Sequence, residues 1–511
     1  MKAVLIFIVV SISLGFVSCA SPRADLRALV PAETIIYLET DDIGASLRSV
    51  FESRPLKESK VKVPNLSALD GIQAAVAITG FEMHEEKLSD EQSVGKITPR
   101  FALIADTHGW NFQARGFAET KLASFVADIY GGEPKLEKSE KEGGSYYAWT
   151  AADGRKAFAL VIGSMIYFGN DESVIEHCLA AKKGEMPAFD AKALHQPSPE
   201  NLAYGYISPD GMAQLANVLG IRLASESAEQ GEVRTAIAGI LPRLIRGAVS
   251  DVHWTAKKTD KGIEDRWEIE MPKEIAAVLS ETLAPSDEPA DQAAASLIPA
   301  NAVSATRYSL RDPQVAWRSI VLTAEHLSDP FAARVFSEIG ASLFEPYGVT
   351  DPEKFLSSID GRIVTAALSS EQAAAIVRPK VGEELKGIAG ELEPGSNEKA
   401  GEPADTAVTF VDGLGVLGDK DTVAACASKG ARSPLAEQLL LPGKPSIVTA
   451  ARDDASIREI VSFLGDEKDA VGGIFANSRA ETSFTRSGVV RTTVSDLGFI
   501  GSIIGMLADT N

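Results

Sequence analysis

Apolar positions along this chain recur with two different periods, and the switches between them outline its elements. Alternation with period two predicts strands at Thr34–Glu39, Gln73–Gly80, Arg100–Ala105, Ala157–Ile162, Ile166–Phe168, Leu202–Ser208, Val249–Lys257 and Ile263–Glu270. Between them the spacing opens to about 3.6 residues. That predicts helices at Ile43–Ser53, Arg115–Tyr130, Glu172–Lys182, Gly211–Leu219 and Glu232–Ile245. In the last of these, Ile237, Ile240, Leu241, Leu244 and Ile245 form one stripe that must face a core, and Pro242 is expected to kink it. Gly163-Ser164, Asp153-Gly154 and Asp260-Lys261-Gly262 join strands too closely for a crossover, so hairpins and antiparallel pairing follow. Polar stretches at Met83–Lys96, Glu133–Gly144 and Pro379–Asp405 read as exposed loops or arms.

The pattern is written twice. Val30-Pro31-Ala32-Glu33-Thr34 returns as Ile298-Pro299-Ala300-Asn301-Ala302, and Leu69-Asp70-Gly71 returns as Ile359-Asp360-Gly361. Ser46-Leu47-Arg48-Ser49-Val50 answers Ala316-Trp317-Arg318-Ser319-Ile320. Later, Phe168-Gly169-Asn170-Asp171-Glu172-Ser173-Val174 matches Leu417-Gly418-Asp419-Lys420-Asp421-Thr422-Val423. A polar turn around Gly262 or Gly488 and a closing apolar helix, near Lys273–Leu283 or Leu497–Leu507, end each copy. The expected fold is α+β: two similar domains of twisted, largely antiparallel sheet with packed helices, arising by internal duplication. The expected divisions are a signal peptide (1–18), a lipidated N-terminus and tether (19–29), repeat domains at 30–284 and 297–511, and a Pro- and Ala-rich linker at 285–296 between them.

In these landmarks the chain resembles a family of exported bacterial proteins classed as a domain of unknown function. Their repeats open with a Leu-Pro-Ala-Asp-Thr-like step into a strand and later carry an apolar hairpin followed by Gly-(Asn/Asp)-(Asp/Glu)-x-x-Val. Val30, Glu33, Ile298, Asn301 and Ala302 depart from that pattern. The resemblance spans roughly residues 28 to 509. It implies fold and location and brings no catalytic residue.

The N-terminus carries the one residue with assignable chemistry. Lys2 precedes an apolar run from Ala3 to Val17, too short to span a hydrocarbon core of about 30 Å, which needs about twenty helical residues. Phe16-Val17-Ser18-Cys19 resembles the lipobox of bacterial lipoproteins. The resemblance implies cleavage before Cys19, a diacylglycerol on its thiol and an N-acyl chain such as palmitate. The partner is then a lipid bilayer reached through acylated Cys19, since several acyl chains hold a protein where one would not. With Ala20 rather than Asp after Cys19, the expected location is the outer membrane facing the periplasm. The alternative is cleavage after Ala20, which releases a soluble secreted or periplasmic protein.

Composition narrows the classes of function. A net charge of −21 excludes nucleic acid as a partner, because a phosphate backbone demands a basic surface. Three cysteines rule out a disulfide scaffold, and Cys178 and Cys426 sit among small apolar neighbours on expected helices, as buried hydrophobes do. Gly413-Leu414-Gly415-Val416-Leu417-Gly418 has the letter of a dinucleotide-binding loop. Its counterpart in the first copy, Gly163–Gly169, is a hairpin, so these glycines read as turns. The histidines lack ligand spacing, Asp106-x-His108 and His177-Cys178 are weak pairs, and Asp70 and Asp360 precede glycine as turn-closing residues do. No catalytic, cofactor or metal residue is assigned. The expectation is a non-enzymatic binding or scaffold protein of the envelope, taking an envelope protein or a small ligand. The alternative is an envelope hydrolase with a carboxylate-based site.

Overall fold

A computed structural model describes residues 24–63, 65–87, 93–189, 194, 198, 200–225, 231–328, 333–334, 340–380, 406–428, 433–464 and 471–509. The signal segment, Cys19 and Ala20 lie outside the described residues, as does most of the stretch Pro379–Asp405. The first half contributes strands β1 Ile36–Thr40, β2 Gln73–Lys87, β3 Ser93–Asp106, β4 Lys135–Lys141, β5 Gly144–Thr150, β6 Lys156–Ile162, β7 Met165–Gly169, β8 Asn201–Ile207, β9 Asp251–Thr259 and β10 Gly262–Glu270. The second contributes β11 Ser304–Ser309, β12 Ile359–Ala367, β13 Ala373–Pro379, β14 Thr406–Val411, β15 Leu414–Asp419, β16 Ile447–Asp453, β17 Ala476–Thr485 and β18 Gly488–Ser495.

All described pairings are antiparallel, and they join these strands into one sheet within an α+β fold. Its order is β4-β5-β6-β7-β3-β2-β1-β8-β9-β10 through the first half. It continues β18-β17-β16-β11-β12-β13-β15-β14 through the second, with β10 paired along its length to β18.

Side chains of directly opposed residues share a face, so the register carries each face across the sheet. The front face of the first half bears Tyr37, Ala75, Ala77, Ile104, Tyr167, Tyr204 and Tyr206 under the segment 24–30 and the helix Glu172–Lys183. The front face of the second half bears Ala305, Val364, Ile376, Val416 and Val448 under the short helix Gln292–Ser296 and the helices Lys420–Ala427 and Pro434–Leu439. On the back face Trp254, Ala256 and Ile263 pack against the helices Ile43–Phe51, Ala455–Phe463 and Gly498–Asp509.

The duplicated landmarks have mechanical reasons. A Cβ added at Gly169 would collide with the carbonyl oxygen of Phe101, and one at Gly418 with that of Ala373. Each glycine is thus where a strand closes on its neighbour. The acids that follow are helix caps: Asp171 accepts from the Ser173 amide at 2.9 Å and Asp419 from the Thr422 amide at 2.9 Å.

Two expectations need correction. The polar stretch Glu133–Gly144 is not a loop but contains β4, in full register with β5 and with mostly exposed side chains. Its run of Lys135, Glu137, Lys138, Glu140 and Lys141 blunts the outer edge of the sheet, and charge there hides the strand from an apolar pattern. Met83–Lys87 and Ser93–Lys96 extend β2 and β3 as a paired arm, as the loop-or-arm reading allows. The segment 285–296 is no free linker: Pro285 bridges to Leu310, Ala294 and Ala295 are buried, and Asp291 caps its helix and accepts from Arg378 at 2.7 Å.

Candidate functional site

The halves meet where β10 pairs with β18, and a cavity of about 270 Å³ opens on the back face of that seam. Its floor comes from alternate residues, Asp265 and Trp267 of β10, Thr493 and Ser495 of β18 and Ser478 of β17. One wall is the start of the closing helix, Leu497 to Ser502; another is Asp453 with Ser456 at the head of the helix Ala455–Phe463. Trp267 and Phe499 stand at right angles, 5.0 Å between ring centroids, and Trp254 backs both. The lining therefore offers an aromatic wall beside hydroxyls and two carboxylates.

Asp265 is the unusual group. It occupies the buried phase of β10 between Ile263 and Trp267 and is 3% exposed. Trp254 Nε1 donates to its Oδ1 at 2.9 Å and the Phe499 amide to its Oδ2 at 2.9 Å, so a first-half carboxylate caps a second-half helix. Burial raises its pKa to about 6 against the pull of those two donors. Asp453 goes the other way. Burial alone would raise it, but bonds from the Ser456 hydroxyl and the Ser456 and Ala455 amides outweigh that and hold it low. One cavity thus lines up two carboxyls whose affinities for a proton are pushed apart, each with both oxygens engaged.

The residues weighed from sequence fall elsewhere. Asp412-Gly413 is the turn between β14 and β15, and Leu414, Val416 and Leu417 are buried strand residues, so the glycine-rich run is a hairpin rather than a strand-to-helix loop. Asp106 accepts from the His108 amide at 2.9 Å to close a turn, whereas Asp360, expected in a turn, lies within β12 at the register shift against β13 and accepts from the Arg362 amide at 3.0 Å. Asp70 pairs with Arg48, and His177 pairs with Glu33 while its neighbour Cys178 points into the core. Cys178 and Cys426 are both buried and unpaired, in separate cores, their thiols raised to about 12 by burial. Among the described residues no three His, Cys, Asp or Glu side chains are placed to hold a metal ion, and no helix is long and apolar enough to cross a membrane.

Sequence reasoning did not single out Asp265, although a signal was there. In Ile263-Glu264-Asp265-Arg266-Trp267-Glu268-Ile269, it is the one acid in the apolar phase of the strand. No protein-family model, no curated protein and no solved structure matches the chain.

Proposed function

We propose that this is an envelope lipoprotein, anchored through acylated Cys19, whose duplicated body is a non-enzymatic binding scaffold with its ligand cleft at the seam between the copies. Duplication is supported by strand order. Read outward from the seam, the first half runs β10-β9-β8-β1-β2-β3-β7-β6 and the second β18-β17-β16-β11-β12-β13-β15-β14. Matching Gly262 to Gly488 makes these the same topology strand for strand, with β4, β5 and the helical pair Pro209–Ser225 and Gly231–Ala248 added to the first. The seam then joins like to like, with Arg266 opposite its own counterpart Thr492.

Exchange of the closing helices supports a single rigid body. The helix Lys273–Thr282 leaves β10 to pack on β17, β18 and the helix Pro313–His326 of the second half. The helix Gly498–Asp509 leaves β18 to pack on β9, β10 and the helix Ile43–Phe51 of the first. A cleft between two halves locked in this way is preorganised, which lowers the cost of binding.

The single observation that favours binding over hydrolysis is that all four oxygens are committed to structural hydrogen bonds, those of Asp265 to the Trp254 indole and the Phe499 amide and those of Asp453 to the Ala455 and Ser456 amides. The hydrolase reading keeps one point of support, the opposite displacement of their two pKa values. Recovery of full-length protein from its native envelope, with mass spectrometry of co-purifying material and of the N-terminal peptide, tests the proposal. An acylated Cys19 peptide and a ligand lost in Trp267→Ala are expected. A free N-terminus at Ser21 would remove the anchor, and hydrolysis of an envelope substrate that Asp265→Asn abolishes would replace binding with catalysis.

A further inference from the structure

The front face of the second half holds a charge without a counter-charge. Arg307 of β11 lies opposite Val448 of β16, Val448 lies opposite Glu481 of β17, and Arg479 sits two residues before Glu481 on the same face. Arg307 is 7% exposed, its Nε is sealed from solvent without a partner, and no hydrogen bond or ion pair reaches the side chain among the described residues. Arg479 donates from Nε to the Gln438 carbonyl at 2.8 Å. Its Nη2 forms an ion pair with Glu481 Oε1 at 2.5 Å. Two guanidinium groups share the one carboxylate of Glu481, so the cluster keeps a surplus positive charge.

Nothing in an ordinary core calls for this. Burial and the facing charge of Arg479 lower the Arg307 pKa, with Glu481 opposing, yet a guanidinium stays charged at any physiological pH. A buried charge left unpaired is among the costliest features a fold can carry. The matching place in the first half is filled internally. There β1 carries Glu39, and Arg27 from the overlying segment bonds it. In the second half the overlying segment brings Ala293, Ala294 and Ala295. The adjacent strand residues shrink as well, from Tyr37 and Tyr206 to Ala305 and Ala450. The exposed residues Leu441–Lys444, with Gly443 against Glu481, lie between this cluster and solvent.

We propose that Arg307 and Arg479 form a binding site for an anionic group, a carboxylate or a phosphate, that supplies the missing counter-charge through paired hydrogen bonds. The site is on the opposite face from the seam cavity and does not depend on what binds there.

Thermal unfolding of the whole mature chain at pH 7.5, in chloride, acetate or inorganic phosphate of equal ionic strength, tests it. Wild type is expected to melt about 2–4 °C higher in at least one of the oxyanions than in chloride. The two salts distinguish a carboxylate site from a phosphate site. Arg307→Met should melt higher than wild type in chloride, since the orphan charge is gone, and should show no oxyanion-specific rise. Arg479→Gln, which removes the second fork but keeps Arg307, should lose most of the rise and serves if Arg307→Met misfolds. Equal wild-type midpoints in all three salts, or an undiminished rise in both variants, would overturn the site.

Discussion

Glu39 of β1 and Arg307 of β11 hold matching places on the front face of the two halves, and only Glu39 has a full counter-charge, from Arg27 of the overlying segment. Arg27 donates from Nε to both oxygens of Glu39, at 3.2 and 3.1 Å, and lies 5.1 Å over the ring of Tyr204. The Tyr37 hydroxyl adds a bond to Glu39 at 2.6 Å, and Tyr204 reaches His253 at 2.9 Å. Burial alone would lower the Arg27 pKa, and Glu39 reverses that. Arg307 has the burial without the reversal. The same sheet position therefore serves as a closed internal network in one half and an open demand for charge in the other. The two halves share a strand order and differ in the chemistry of this one position.

The comparison is broken most directly by removing one partner of the closed pair. Arg27→Met leaves Glu39 buried beside a single hydroxyl and should cost about 3–5 kcal/mol, read as a lower urea midpoint. The double variant Arg27→Met/Glu39→Met should recover more than half of that loss, because the desolvation penalty goes with the charges. A loss under 1 kcal/mol for Arg27→Met would mean that the first-half network is no more satisfied than the second.

The seam gives a contrast between the halves that is set by pH. Asp265 titrates near 6 in the folded chain against an ordinary 3.8, so the folded state binds its proton more tightly than the unfolded state. Its favourable contribution is complete below about pH 4 and is lost as pH rises to about 6, on the order of 2–3 kcal/mol across that window. Asp265→Asn should flatten stability over that range. Its counterpart position in the second half is Arg491, and Arg491→Gln should leave the slope intact. Denaturation curves at half-unit steps of pH read both.

The two seam glycines sharpen the symmetry. Gly262 has φ +127° and Gly488 φ +142°, and a Cβ on either would strike a backbone carbonyl of the partner strand, Ser495 for the first and Ile269 for the second. Those carbonyls are themselves matched positions, so each end of the joint is made alike. Gly262→Ala and Gly488→Ala should each cost about 2 kcal/mol, within about 1 kcal/mol of one another. A large cost at one and none at the other would show a seam held from one end only.

Much of this framework was legible in the chain. Gly169-Asn170-Asp171 and Gly418-Asp419 stood out as a repeated landmark, and the structure makes each a close strand end followed by a helix cap. The hairpins at Gly163 and Asp260 followed from turn chemistry alone. β4 was illegible because a charged edge strand has no apolar phase. Arg307 was hidden for a different reason. In Ala305-Thr306-Arg307-Tyr308 the half-buried Tyr308 points to the opposite phase, and only long-range pairing decides which phase is inward. The seam cavity needed the exchange of closing helices, which no local pattern encodes.

The smallest effect concerns the two buried cysteines, which occupy matched helices after the matched glycines. Cys178 lies under the front face of the first half and Cys426 under that of the second, and burial pushes both thiols up to about 12. A thiol that stays protonated and sealed does not attack, since the thiolate is the nucleophile. An alkylating reagent at pH 8 should therefore label neither position in the native chain and both in denaturant, as peptide mass spectrometry would read. Replacement by Ala should cost about 1 kcal/mol at each site, the loss of a small buried side chain. The symmetry of the cores makes equal protection the expectation even though their charged neighbours differ. Native labelling at Cys426 alone would show that the second-half front face opens more readily than the first. That would tie the uncompensated charge of Arg307 to a measurable loosening of the layer that covers it.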